Sequence, residues 1–139
     1  MLSTFFENRY LKIYQAPSKH MVVLEWHGFV PSEDYRAGLE MVLQLAQEQN
    51  VKYVLTDNRF MGPLVMADQA WTKKELIPRL SKTGIEKLFI VVSMDIFNAM
   101  AVQNILNEAC DAITFEYQYF HSYPDGVDWL TQTKSGVLS

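Results

Sequence analysis

Polar side chains that could bind a ligand or a charged partner group follow two β-rich runs of the sequence, Lys52–Thr56 and Leu88–Val92. These side chains are Asp57, Asn58, Arg59, Ser93 and Asp95. In parallel α/β sheets, ligands bind beyond the carboxyl ends of the strands, so the five side chains are expected to converge. A carboxylate and a guanidinium together suit a polar ligand or a charged residue of a partner protein.

A structural role explains the same residues more simply and is the favoured interpretation. Asp57 and Arg59 can pair internally, while Asp95 and Asp68 can each cap a helix. A pocket bounded by the polar cluster and the nearby aromatic residue Trp71 would instead favour ligand binding. The candidate ligand- or partner-binding residues are therefore Asp57, Asn58, Arg59, Trp71, Ser93 and Asp95.

Other residue types that carry chemistry form no catalytic or metal-binding pattern. The three histidines, His20, His27 and His121, lack the short pairing that a zinc site needs. The one cysteine, Cys110, lies in an apolar segment and is predicted to be buried. No glycine-rich phosphate loop is present. The sequence therefore predicts a non-enzymatic protein with no catalytic residue, metal or cofactor.

Length and composition predict one soluble domain. The chain has 139 residues, of which 49% are hydrophobic and 20% charged, enough to build a single core. Twelve basic residues against 16 acidic ones give no dense cationic cluster, which argues against nucleic-acid binding. The first ten residues lack the apolar core of a signal peptide, and no apolar run reaches membrane-spanning length. A cytoplasmic location without an integral membrane segment is expected.

Hydrophobic periodicity predicts the element order β-β-α-β-α-β-α-β-α, in which the first two strands form a hairpin. The predicted strands cover Tyr10–Gln15, His20–His27, Lys52–Thr56, Leu88–Val92 and Thr114–His121. The first predicted helix begins at Ser32, and the next two cover Asp68–Arg79 and Phe97–Ala109. The last is a short helix that contains Trp129 and Leu130. Strands that alternate with helices indicate a mostly parallel five-stranded sheet. The prediction is a single domain over residues 1–133, followed by a frayed tail over residues 134–139.

Several short segments carry a resemblance to a known family. They are Trp26–Gly28, Tyr35, Leu55–Arg59, Trp71, Ser93–Phe97 and Trp129-Leu130. The chain resembles the STAS-like domains, whose founding members are the sporulation anti-sigma-factor antagonists. It is more similar still to uncharacterised bacterial proteins of the STAS/SEC14 type. The resemblance implies a sheet with helices mainly on one side and a regulatory or scaffolding role through protein–protein interaction.

One departure from the antagonist pattern concerns its regulatory switch. That family carries a phosphorylatable serine at the start of the second helix, where added negative charge alters a partner interface. The corresponding stretch here, Met61–Asp68, contains no hydroxyl residue. If this protein regulates a partner, its control must therefore differ from phosphorylation at this position.

Aromatic residues suggest two further hypotheses. Trp26, Trp71, Trp129 and the Tyr117/Tyr119 strand face could line a pocket for a small apolar or lipid-like molecule, although a core role is favoured. An aromatic strand face with no helix above it would need a second subunit to cover it. Homodimerisation is the leading partner hypothesis, with binding of a small apolar molecule as the alternative function.

Overall fold

The strands form one sheet in which neighbours along the chain are also neighbours in space. The computed structural model describes residues 2–122 and 124. Its strands are β1 (Ser3–Glu7), β2 (Leu11–Ala16), β3 (Met21–Gly28), β4 (Tyr53–Met61), β5 (Lys87–Val91) and β6 (Glu116–Phe120). Strands β1 to β3 pair antiparallel, whereas β3 to β6 pair parallel. The predicted hairpin and the mostly parallel α/β architecture are confirmed.

The described sheet has six strands rather than the predicted five, because β1 gives no periodic signal. Its adjacent Phe5 and Phe6 do not alternate with polar residues, and its pairing with β2 shifts register between Thr4 and Phe6. Only Phe6 on this edge strand is partly buried. A strand that buries one side chain lacks the alternation from which a half-buried strand is recognised.

The helices are α1 (Ser32–Glu48), α2 (Met66–Trp71), α3 (Ile77–Leu80) and α4 (Ile96–Glu108). A π-helical segment, Thr72–Leu76, joins α2 to α3, so the region predicted as one helix is continuous but widened in the middle. Pro78 explains the widening because it has no N–H and its ring clashes with the carbonyl four residues earlier. The N–H of Ile77 instead donates to the Thr72 carbonyl, five residues back.

The main core lies between one face of the sheet and these helices. Leu24 and Ile90 of the sheet pack there with Val42 of α1 and Ile105 of α4. On the opposite face, Val23, Leu55, Phe89 and Val91 form a second cluster, to which no described helix contributes. The helices that the structure describes therefore lie on one side, as the STAS-like resemblance implied.

Two predictions concern the end of the chain. The predicted helix with Trp129 and Leu130, and the tail at 134–139, lie outside the described residues. Within the described part of the chain, no helix combines the length and apolar character needed to cross a membrane. The cytoplasmic location and the avoidance of nucleic acid stay predictions.

Gly38 allows α1 to approach the sheet closely. A Cβ at this position would lie 2.3 Å from Leu11 Cδ2 and 3.2 Å from the Trp26 ring, both of which are buried. We expect Gly38→Ala to lower the free energy of unfolding by about 1 kcal/mol, because overpacking outweighs the gain in helix propensity. Urea unfolding measures this change. Gly84→Ala is the control, since its Cβ would meet nothing within 4 Å. Stabilisation by Gly38→Ala would contradict close packing here.

Candidate functional site

The polar triplet Asp57-Asn58-Arg59 lies within β4, not after it. The strand was predicted to end at Thr56 but extends to Met61, because β3 pairs with it along nearly its whole length. Side chains alternate along a strand, so consecutive residues point to opposite faces. Thr56 and Asn58 line the space between the sheet and the helices, so Asp57, which lies between them, and Arg59, which bonds to Asp57, lie on the other face of the sheet. The sheet therefore separates Asn58 from Asp57 and Arg59, and the predicted convergence of these side chains is wrong.

Asp57 and Arg59 form a bidentate ion pair. Arg59 Nε and an Nη donate to the two Asp57 carboxylate oxygens at 2.9 and 2.8 Å. The Asp57 side chain is 5% exposed and that of Arg59 is 35% exposed. Both oxygens of this carboxylate already accept charge-assisted hydrogen bonds. The internal Asp–Arg pair favoured from the sequence is confirmed.

Asp95 caps α4, as predicted, whereas Asp68 does not cap α2. Asp95 Oδ1 accepts from the backbone N–H groups of Phe97 and Asn98 at 2.9 and 3.0 Å. The Asp68 side chain is buried and accepts from Ser32 Oγ at 2.8 Å and from Arg36 Nε at 2.9 Å. It joins α2 to α1. The predicted cap at Asp68 is wrong, because α2 begins two residues earlier, at Met66.

Hydrogen bonds fasten together the loops at the carboxyl ends of β3, β4 and β5. Ser93 Oγ donates to the Met61 carbonyl at 2.8 Å, and Asn98 Nδ2 donates to the Gly62 carbonyl at 2.9 Å. The N–H of Gly62 donates to the Gly28 carbonyl at 2.8 Å. This end of the sheet is therefore a preorganised surface.

Trp71 is not part of the polar cluster. It lies on α2, where its ring contacts the Tyr35 ring edge-on at 6.1 Å and the Arg36 guanidinium lies 5.4 Å from its centre. Tyr35 is buried, and this burial raises the pKa of its phenol well above the ordinary value. Trp71 therefore helps to pack α1 against α2.

A cavity of about 110 Å³ lies between the sheet and the helices. Most of its wall is aliphatic, and the polar residues include Thr56, which donates to Asn58 Oδ1 at 2.7 Å. A second cavity, of about 10 Å³, shares Asn58, Ile90 and Val102 with the first. Of the candidate site residues, only Asn58 and Ser93 line either cavity.

A set of large apolar side chains, not predicted from the sequence, is exposed at the carboxyl end of the parallel strands. We call it the apolar rim; it consists of Phe29, Phe60, Met66, Met94, Ile96, Phe97 and Met100. Each side chain is between 54% and 80% exposed. The sequence of α4 does contain a signal for this exposure. Its apolar residues surround the helix instead of forming one stripe, so one core face cannot bury them all.

The aromatic face of β6 lies toward the helices. Tyr117 and Tyr119 are partly buried against the main core, and Tyr119 lines the small cavity beside α4. Burial raises the pKa of the Tyr119 phenol to about 12. A second subunit is therefore not needed to cover these two rings, contrary to the sequence-based argument for a dimer.

Cysteine and metal chemistry are the remaining possibilities raised by the sequence. Cys110 is exposed, so the prediction that it is buried is wrong; it lies in a 3₁₀ turn beyond the end of α4. Within the described residues, no three His, Cys, Asp or Glu side chains are grouped so that they could hold a metal ion.

Comparison with known proteins bears on this architecture. An uncharacterized protein from the DUF3478 family with a SpoIIAA-like fold, from Shewanella loihica PV-4, has a solved structure similar to this one, with a TM-score of 0.55. The match covers 94% of this chain and 92% of that chain. The fold is SpoIIAA-like. At 16% sequence identity the similarity concerns the fold alone, and it agrees with the STAS-like architecture expected from the sequence. No family model and no curated protein matches the chain.

Proposed function

We propose that this SpoIIAA-like chain is a non-enzymatic scaffolding module that self-associates through the apolar rim. The observation that carries the proposal is the clustering of seven of the ten exposed large hydrophobic residues of the described chain at one end of the sheet. Large exposed apolar patches are uncommon on monomeric soluble proteins and mark interaction sites.

The area of the rim suits a dimer. At about 200 Å² for a fully exposed side chain of this size, the exposed fractions correspond to roughly 900 Å². A stable interface buries about 800 Å² on each partner. A two-fold contact needs only one self-complementary patch, and the three methionines, Met66, Met94 and Met100, can adapt their shape to a second copy.

A binding role, rather than a catalytic one, is supported by the state of the carboxylates near this end. Asp57 is paired with Arg59, Asp68 with Arg36, and Asp95 accepts from two backbone N–H groups. Each is engaged in structural hydrogen bonds. The stretch from Met61 to Asp68 offers no hydroxyl for phosphorylation, so control of the interface would depend on another event.

Sedimentation equilibrium at micromolar concentration tests the dimer. We expect a mass of twice 16.1 kDa for the unmodified chain. Phe97→Glu should weaken the dimer at least 100-fold, because two carboxylates enter an apolar contact and each is left without a partner. Asn107→Glu places the same charge at an exposed position near the other end of the same helix and should leave the mass unchanged. A monomeric unmodified chain, or a Phe97→Glu variant that still dimerises, would refute the proposal.

A further inference from the structure

Two buried polar atoms beside the small cavity have no hydrogen-bond partner among the described residues: Asn98 Oδ1 and the Tyr119 hydroxyl. Asn98 is fully buried, and its Nδ2 donates to the Gly62 carbonyl, which fixes the amide and leaves Oδ1 unused. Buried polar groups are almost always hydrogen-bonded, so two unpaired ones at a single cavity call for an explanation. An acceptor and a hydroxyl together suit a group that can both donate and accept.

The larger cavity provides space for an apolar body next to these two atoms. Thr56 and Leu88 lie on the helix-facing side of β4 and β5, yet both are only half-buried because the helices do not close against them. An apolar cavity of about 150 Å³ binds benzene. A cavity of about 110 Å³ therefore suits a body of roughly six carbon atoms.

The walls also determine the charge of a ligand. None of the described residues that line either cavity is charged. A carboxylate or an ammonium group would lose its hydration without gaining an ionic partner, which is strongly unfavourable. A neutral hydroxyl would lose far less and could bond to both Asn98 and Tyr119.

We propose that the two cavities form one binding site for a small neutral alcohol or phenol, whose hydroxyl bonds to Asn98 Oδ1 and Tyr119 while its apolar body fills the space under the helices. The site is distinct from the apolar rim and does not depend on self-association. Asn98 directly follows Phe97 of the rim on α4. Binding of a small molecule at Asn98 would therefore influence the rim of this scaffold.

Titrations followed by amide chemical shifts test the site with three probes: phenol, toluene and benzoate. Phenol and toluene have the same number of non-hydrogen atoms, so they differ in the hydroxyl alone. We expect phenol to bind with a Kd of about 0.1–1 mM, as is reasonable for so small a ligand. Toluene should bind several-fold more weakly, and benzoate should not bind at a concentration of about 10 times the Kd of phenol.

Two variants distinguish the hydrogen bond to the ligand hydroxyl from the space that the cavities provide for the apolar body. Tyr119→Phe should weaken phenol about fivefold, the effect of one hydrogen bond, and leave toluene unchanged. Val102→Trp should fill the cavities and abolish binding of both probes. Asn107→Glu, at an exposed position of α4 that lines neither cavity, should change neither. Tyr119→Phe removes a single oxygen, so the test stands even if Val102→Trp fails to fold.

Three results would overturn the proposal. One is the absence of saturable phenol binding. Another is binding that survives Val102→Trp in a folded protein, which would place phenol outside the two cavities. The third is an unchanged preference for phenol over toluene in Tyr119→Phe, which would mean that the ligand hydroxyl does not bond to Tyr119.

Discussion

Arg36→Met is expected to lower the free energy of unfolding by about 3 kcal/mol. The substitution keeps the aliphatic stem but removes the guanidinium, which donates to Asp68 Oδ1 and lies over the Trp71 ring. The Asp68 side chain is 2% exposed, so its charge would remain buried with Ser32 as its one side-chain partner among the described residues. Removing one partner of a buried pair costs about 3–5 kcal/mol, and the 38% exposure of Arg36 places the effect at the lower end. Urea unfolding with a constant m-value measures it.

Arg79→Met provides the matched control. Arg79 also joins two helices, through a bidentate pair with Glu40 at 2.7 and 2.8 Å, but both side chains are more than 40% exposed. Exposed pairs contribute about 0–1 kcal/mol, so Arg79→Met should have little effect. Adding Asp68→Asn to Arg36→Met should recover at least half of the loss, because the buried charge is gone. Equal losses for Arg36→Met and Arg79→Met would contradict a special role for burial.

Element types were predictable because their signals are local. The unbroken run Leu88–Val92 and the helical spacing after Ser32 depend only on neighbouring residues, and the structure confirms both elements. The end of β4 was not predictable, because Asp57, Phe60 and Met61 pair with β3, which is separated from β4 in the sequence by α1, and the register shifts at Asn58 and Arg59. Polar residues otherwise indicate that a strand has ended. Tertiary pairing outweighed this local signal.

The candidate site was predictable only where it depends on short-range contacts. The Asp57–Arg59 pair spans two residues and the Asp95 cap three, so the sequence sufficed for both. The cavity and the apolar rim depend on how α2 and α4 sit against the sheet. Periodicity identifies apolar residues but cannot show which of them remain exposed when more are present than one face can bury.

Alkaline pH should destabilise the fold through Tyr35. Its phenol is buried, which raises its pKa above the ordinary value of 10.0. The Thr72 hydroxyl donates to the Asp68 carbonyl at 2.7 Å, so the 2.7 Å bond between Tyr35 and Thr72 requires the Tyr35 proton. Ionising Tyr35 in the folded chain would break this bond and bury an unpaired charge. The unfolded chain ionises normally near pH 10.

The stabilising effect of the neutral phenol is therefore complete below about pH 10 and is lost as the pH rises above it. Each such tyrosine lowers the free energy of unfolding by about 1.4 kcal/mol per pH unit above pH 10 until its folded-state pKa is reached. Tyr119, with a pKa of about 12, acts in the same direction, but its contribution ends near pH 12, whereas that of Tyr35 continues to higher pH. Urea unfolding between about pH 9 and 11.5 should show a shallower alkaline decline for Tyr35→Phe than for the unmodified chain. Identical slopes for Tyr35→Phe and the unmodified chain would show that Tyr35 ionises freely in the fold.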